Sequence, residues 1–356
     1  MSFLLKCNIA TTCECPGGQL LLFEKVGMLK NNFANKPTRF VKDAFVQKRV
    51  VIAICTHNRS DLLMAALDAV SKLYVESYYD VSVLIVENEV EPKLGDILGA
   101  LDFPFTIYHV HEPKLGLVSA RNRSFDEAER LKADWLCLLD DDDEVHEDWL
   151  VRFEQAASEI SDCEVFIGRD EEKLPPDYST YIRPAVRPNL KLGATPTLLK
   201  TGNCMIKKPI FHSSGHGYRF DNRFNLSGGE DTEFFMRLRQ SDIQLCHVPE
   251  AILYDLKHGE KTKYSYHFRR KRWEHTNLYF IYRIHFGPAV VRRMLVRDLN
   301  FNMVNFCFDV VNGALKMMSD PAKMRIQFGS AGLRIAKIAA IFDYCFKDRP
   351  TPYDVT

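Results

Sequence analysis

No stretch of this chain approaches the ~18 consecutive apolar residues that a membrane-spanning helix needs, so the sequence predicts a protein that is soluble or peripheral to a membrane. A secretory leader is not evident: Phe3-Leu4-Leu5 is short, and Lys6 interrupts it. Cysteine arrives without a pattern. The 10 cysteines are scattered singly, several inside apolar runs (Cys55, Cys137, Cys204), and Cys13 with Cys15 makes only C-x-C. That is too short for a zinc site without partners, and the scatter suits small buried hydrophobes in a reducing cytosol. Repeats and low-complexity tracts are absent. Net charge is lacking too, with 47 Lys and Arg against 47 Asp and Glu, and no nucleic-acid partner is expected. The balance hides an asymmetry: from Lys257 to the end, 18 Lys and Arg face only 8 Asp and Glu. A basic region of that kind suits anionic lipid headgroups or a phosphorylated substrate, and equally suits ordinary solvated helix surface.

What is present is enough apolar residue, 46% of 356, to bury a sizeable core. Residues 1–48 read as an irregular extension of unassigned role, carrying Pro16-Gly17-Gly18. Regular alternation then begins. Strands are predicted at 50–55, 81–86, 105–109 and 135–139, with helices at 61–73 and 119–131 between them. Such alternation implies an α/β fold with a mostly parallel central sheet flanked by helices. Farther on the pattern loosens: short strands at 165–168, 201–206 and 245–248, a proline-rich loop at 173–196, and a helix at 231–239. Helical stretches at 264–286, 288–318 and 331–346 close the chain. The reading divides it into the extension, a catalytic domain at 49–275 and a C-terminal helical region at 276–356. The last of these suits a membrane surface or packing on the preceding domain, since 331–346 mixes Leu333, Ile335, Ile338 and Phe342 with Arg334 and Lys337.

Four consecutive aspartates, Asp140 to Asp143, follow the apolar run Trp135 to Leu139. Ligands of open α/β sheets gather beyond the carboxyl ends of such strands. Carboxylates crowded there repel one another unless a cation offsets them, and oxygen-only ligands suit Mg²⁺ or Mn²⁺. A solvated acidic turn is the plainer alternative. The first strand ends in Thr56-His57-Asn58-Arg59 and the second in Glu87-Asn88-Glu89, polar groups suited to a nucleoside or its phosphates, or simply to loop capping. Arg121 and Asn122 fall in the first turns of the helix after Gly116. Gly228-Gly229-Glu230-Asp231 opens another helix, where a carboxylate is favoured by the dipole and can serve as a general base. His258 precedes a cationic cluster, Arg269-Arg270-Lys271-Arg272-Trp273.

Taken in order, these segments resemble the family 2 inverting glycosyltransferases of the GT-A fold. The resemblance runs from about Val50 to Trp273, and is nearest to bacterial enzymes that build exopolysaccharide or lipopolysaccharide repeat units, including the succinoglycan type. It implies that Thr56, Asn58, Arg59, Glu87 and Arg121 hold a UDP-sugar, with Asp140 and Asp141 toward the nucleotide. Asp140 and Asp142 would form an Asp-x-Asp pair, Asp142 binding Mn²⁺ or Mg²⁺ and His258 completing the metal site. Asp231 would be the base with Glu230 beside it, and Gly202, Asn203, Arg269, Arg272 and Trp273 would contact donor sugar or acceptor. Two departures stand out. Glu87 replaces the family's more usual Asp, and Arg269-x-x-Arg272-Trp273 carries Arg where processive synthases have Gln; those synthases also have membrane helices, which are not read in this sequence, so transfer of one residue is expected.

The resemblance implies a hexosyltransferase acting on a lipid-linked or oligosaccharide acceptor at the cytoplasmic face of the inner membrane. Two other readings differ in kind. A sugar-1-phosphate nucleotidyltransferase would need an early glycine-rich phosphate loop, and Val51 to Asp61 contains no glycine. A non-catalytic carbohydrate- or cation-binding module would use the acidic run, which lacks the EF-hand spacing.

Overall fold

The computed structural model describes residues 47–185, 187–197 and 199–347, so the extension read at 1–48 lies almost wholly outside the described residues. The alternating half comprises β1 (Lys48–Thr56), α1 (Ser60–Ser71), β2 (Tyr79–Glu87), α2 (Gly95–Gly99), β3 (Thr106–His111), α3 (Leu117–Arg130) and β4 (Trp135–Asp140). After it come β5 (Asp143–Val145), α4 (Trp149–Glu159), β6 (Val165–Lys173), β7 (Asn203–Lys207), α5 (Lys208–Phe211), α6 (Glu230–Gln240) and β8 (Leu245–Leu256). Two long helices, α7 (Tyr264–Lys316) and α8 (Pro321–Phe346), end the described chain.

All eight strands form one sheet in the order β3-β2-β1-β4-β7-β6-β8-β5. β1 pairs in parallel with β2 and β4, β2 with β3, and β6 with β8, while β7 runs antiparallel to both its neighbours and β5 antiparallel to β8. The mostly parallel α/β sheet expected from the alternation is therefore present. Period-two alternation sorts the strand residues onto two faces. Val50, Ile52, Ile54, Val83 and Ile85 pack with α1 and α4 side chains such as Leu63 and Phe153. Val51, Ala53, Leu84 and Val86 pack on the other face with Phe125 of α3 and Phe234 of α6. Because β2 and β3 lie on one side of β1 and β4 on the other, the order reverses beside β1, which opens a crevice at the carboxyl ends of β1 and β4.

Two strands are longer than the sequence pattern predicts. β6 extends to Lys173 and β8 to Leu256, not stopping at 168 and 248. Their ladder breaks between Gly168 and Arg169, where the pairing jumps from Val248 to Ile252. Pro249 sits in that bulge, where its missing N–H is not needed, and its presence hides the strand from pattern reading. β5 was also hidden, because it begins inside the aspartate run at Asp143.

The boundary drawn after 275 falls inside α7, which runs on to a kink at Gly287 before Pro288. Ile281 beyond that boundary seals the core face of α6, and Tyr279 and Met294 pack with Ile341 of α8. The C-terminal helices are thus joined to the sheet by a continuous element.

One core residue sets a pH dependence. Glu154 of α4 is only 2% exposed, and neither of its carboxyl oxygens has a hydrogen-bond partner among the described residues. Burial pushes its carboxyl up to about 8. An unfolded Glu ionises near pH 4.3, so the native state binds the extra proton between the two values, and stability falls as pH rises across that window. Relative to wild type, Glu154→Gln is therefore expected to gain stability from about pH 4 to 8 and level off above, by about 5 kcal/mol. Urea unfolding at several pH values measures this; a difference independent of pH would refute it.

Candidate active site

Arg121 is the hub of the crevice. It lies on the second turn of α3, 5% exposed, and reaches three carboxylates from three elements. Its Nη1 donates to Glu230 Oε1 at 2.6 Å and to Asp231 Oδ1 at 2.5 Å, and its Nη2 to Asp140 Oδ1 at 3.4 Å. The N-terminus of α6 and the carboxyl end of β4 are thereby joined through one guanidinium. Asp231 also accepts from Thr201 Oγ1 at 2.7 Å and from the Thr201 backbone N–H at 3.3 Å. Its side chain keeps 22% exposure, whereas that of Glu230 is 6% exposed. Of the two acids, Asp231 is the one that an incoming group can meet.

The aspartate run is held by a network of cations. Thr56 Oγ1 donates to Asp141 at 2.7 Å, and Arg59 bridges Asp141 and Asp142 at 3.3 and 3.2 Å. Lys261, from the turn after β8, lies 2.5 Å from Asp142 Oδ2. Lys200 contacts Asp143 at 2.6 Å, with Asp170 and Asp140 at 3.7 and 3.8 Å. The acidic run is therefore not a solvated turn: Asp141 and Asp143 are buried.

Burial pushes the Asp141 carboxyl up to about 6 against the pull of Thr56 and Arg59, and pushes Asp143 up to about 7 against Lys200. Burial followed by the charge of Asp231 lifts Glu230 to about 7, with Arg121 opposing. Burial alone would raise Asp142 too, but Lys261, Arg59 and Lys200 hold it below the usual carboxylate range. Lys200 is raised despite burial because Asp143, Asp170 and Asp140 surround it.

These residues are of a donor type that could hold a divalent cation. Seven carboxylates (Asp140 to Asp143, Asp170, Glu230, Asp231) share four cations (Arg59, Arg121, Lys200, Lys261). Asp170 Oδ2 is buried without a hydrogen-bond partner among the described residues. The donors are hard oxygens, which suit Mg²⁺ or Mn²⁺. No group of three or more His, Cys, Asp or Glu side chains forms a ready cage among the described residues.

Backbone approach shapes the crevice at two places. β7 runs antiparallel to β4 with Asn203 opposite Leu139, so Gly202 lies against Asp140, and a Cβ there would sit 2.3 Å from Asp140 Oδ2. At the start of α6, Gly228 and Gly229 have φ of 68° and 83°, the left-handed region that favours glycine. A Cβ on Gly228 would meet the Trp273 ring at 2.2 Å.

Several residues expected in the site have other occupations. Both oxygens of Glu87 are engaged, Oε1 by Lys93 N–H and Oε2 by Leu94 N–H and His109, so it pins the loop after β2 and offers no free oxygen to a nucleoside. Asn203 is fully buried, accepting from Trp149 Nε1 and donating to Asp170, beneath the crevice. Trp273 and Asn277 both donate to the Ser227 carbonyl and so brace the turn that carries Glu230 and Asp231. Arg272 pairs with Asp343 of α8, and Arg269 with Glu260 at 3.5 Å on the surface. His258 Nδ1 lies 3.1 Å from the Leu256 carbonyl. Asn58 is exposed and turns the loop after β1 with φ 51°.

Lys200, Lys261 and Asp170 were missed by sequence reasoning. Adjacency to Thr201-Gly202 could have flagged Lys200; nothing local sets Lys261 apart from the other surface lysines. A hollow of about 280 Å³ lined by Arg49, Asp80, Tyr108 and Arg130 lies at the opposite, amino end of β1 to β3 and holds none of these groups.

Residues 51–222 match the family Glycosyl transferase family 2, and this span contains the β1 loop, Arg121, the aspartate run and Lys200. It is this segment that is similar to family 2 glycosyltransferases. The chain is 28% identical over 210 residues to the Succinoglycan biosynthesis protein ExoM of Rhizobium meliloti (strain 1021), covering 57% of this chain and 65% of that protein. Among solved structures, S. aureus TarS is similar at 12% identity and a TM-score of 0.46, over 83% of this chain and 55% of that one. The structure of S. aureus TarS 1-349 in complex with UDP-GlcNAc gives 13% identity and a TM-score of 0.47, over 84% and 91%. The chain thus spans less than two thirds of the length of ExoM and of the longer TarS. Glu230 and Asp231 follow the matched segment, and the structure brings them back to it through Arg121. No described helix is long and apolar enough to cross a membrane.

Proposed function

We propose that this chain transfers one hexose from a UDP-sugar to a hydroxyl of a glycan acceptor, with inversion at the anomeric carbon, in the building of a surface polysaccharide. The observation that carries the reading is the Arg121 bridge, which puts a partly exposed carboxylate, Asp231, within one guanidinium of the acidic end of β4. A base and a diphosphate site must lie that close for one displacement to join acceptor and sugar.

In this reading Thr56, Asn58 and Arg59 line the nucleotide, and Arg59, Lys200 and Lys261 face the diphosphate. Asp140 and Asp142 would hold Mn²⁺ or Mg²⁺, which neutralises charge gathering on the leaving phosphate oxygens. Thr201 aims the Asp231 carboxylate, and Asp231 takes the acceptor proton as its oxygen attacks from the face opposite the leaving group. The C–O bond to phosphate breaks as the new glycosidic bond forms, and no covalent enzyme intermediate is needed. The acceptor is taken to be lipid-linked, with the protein peripheral to the cytoplasmic membrane face; the similarity to ExoM supports a polysaccharide role.

Incubation with Mn²⁺ and a panel of UDP-sugars is expected to release UDP slowly without acceptor and faster with a glycan acceptor. Release of no nucleotide under any of these conditions, with no thermal shift on donor addition, would overturn the reading. Asp142→Ala is expected to weaken Mn²⁺-dependent UDP binding at least about tenfold, roughly 1.4 kcal/mol. Unchanged binding by calorimetry would move the cation elsewhere.

A further inference from the structure

The second half of α7 exposes a continuous apolar face. Phe301, Val304, Phe308, Val311, Leu315 and Met318 recur at alternating three- and four-residue spacing, and each is between 57% and 98% exposed. From 299 to 315 the only charged side chain is Asp309, and it points the other way, buried and paired with Arg334 of α8. With Met303, Cys307 and Ala314, also exposed, the face spans about 160° of the helix and about 21 Å of its length from Phe301 to Leu315, with Met318 in the turn just past its end. α8 adds its own line of exposed apolar residues at seven-residue steps: Phe328, Ile335 and Phe342. A monomer in water rarely leaves so large a patch uncovered.

Charge indicates what covers it. Between 288 and 347 there are nine Lys and Arg against four Asp. The four acids pair within the chain: Asp298 with Arg297, Asp309 with Arg334, Asp320 with Lys323, and Asp343 with Arg272. Exposed Arg292 and Arg293 stand at one end of the apolar face, and exposed Lys316 and Arg325 at the other. A helix-pairing seam would be narrower and flanked by charges that set register, whereas the flanking residues here are Asn305, Cys307, Asn312 and Ala314. A broad apolar face with cations at its two ends fits an interface between hydrocarbon and negatively charged headgroups.

We infer that the α7–α8 hairpin is a docking surface for an anionic lipid bilayer, lying in the plane of the interface with Phe301 to Met318 inserted and the flanking cations on the headgroups. It rests on the lipid-linked-acceptor reading for its purpose and on the hairpin alone for its physics.

Sedimentation of the full chain with vesicles of equal parts phosphatidylcholine and phosphatidylglycerol is expected to show binding that weakens as salt rises. Phosphatidylcholine alone should bind far less. Phe308→Asp with Val311→Asp is expected to lower the partition coefficient at least about tenfold, and Arg292→Gln with Arg293→Gln to lower it about tenfold and flatten the salt dependence. UDP release without vesicles should stay at the wild-type rate in both double variants, which also reports that they fold. Three results would overturn the inference: no wild-type binding to the anionic vesicles, equal binding to both vesicle types, or vesicle binding unchanged in the Asp variant. If ultracentrifugation shows a wild-type dimer that the Asp variant dissolves, with vesicle binding intact, the face joins two copies of the chain instead. Failure of UDP release in the wild type with vesicle binding retained would remove the catalytic reading and leave the docking surface standing.

Discussion

Asp231→Asn is expected to lower sugar transfer roughly 10³-fold while leaving donor binding close to wild type. The amide keeps the shape of the side chain and can still accept from Thr201 Oγ1, but it cannot take a proton from the acceptor hydroxyl. One negative charge is also lost beside Arg121, so Glu230 becomes its dominant acidic partner at that end of the crevice. UDP-sugar affinity measured by calorimetry separates the two effects. Full transfer activity in the variant would remove Asp231 as the base. Glu230→Gln supplies the contrast: Glu230 is buried against Arg121, so its loss should act on the position of Asp231 and fall well short of the Asp231→Asn effect.

Arg121→Met is expected to be the most destabilising single change in the crevice. It leaves Glu230, Asp231 and Asp140 without the cation they share, and breaking a buried pair from one side costs about 3–5 kcal/mol. For a domain of this size that corresponds to a fall of roughly 5–10 °C in Tm. Without Arg121 the Glu230 carboxyl, already lifted to about 7 by burial and Asp231, rises further above its unfolded value. The native state then holds protons that the unfolded state has released, so the deficit grows from about pH 5 toward neutrality and shrinks in acid. Arg121→Lys should not rescue, because a single ammonium cannot span the ends of α6 and β4 as the planar fork does. A Tm within a degree of wild type at pH 8 would show that the bridge carries no such load.

Much of the fold was legible because strand periodicity is a local property. Val50 to Cys55 and Trp135 to Leu139 read as buried parallel strands, and they are neighbours in the sheet. β8 was cut short in the reading because Pro249 mimics a strand end, while in the structure it occupies a bulge. Short motifs at strand ends and helix starts picked out Thr56, Arg59, Arg121, the aspartate run and Asp231, which the structure gathers in one crevice. They could not tell a side chain that faces the crevice from one that faces the scaffold. Glu87 spends both oxygens on the Lys93–Leu94 backbone and His109, and Asn203 serves Trp149 and Asp170. Arg272 and Trp273 were read as substrate contacts, yet they tie α7 to α8 and to the turn before Glu230.

The sequence by itself determined the alternating α/β architecture, the acidic strand end and the carboxylates at the start of α6, since each depends on residues within a few positions of one another. Tertiary structure decided how those pieces act together. Arg121 lies 109 residues from Glu230, and Lys261 lies 119 from Asp142. Such pairings arise when the sheet order reverses beside β1 and brings remote strand ends to one crevice, so no spacing along the chain records them. The same holds for the outer face of α7. Its apolar stripe is visible in the sequence, but only packing against α8 shows which side of the helix is left uncovered.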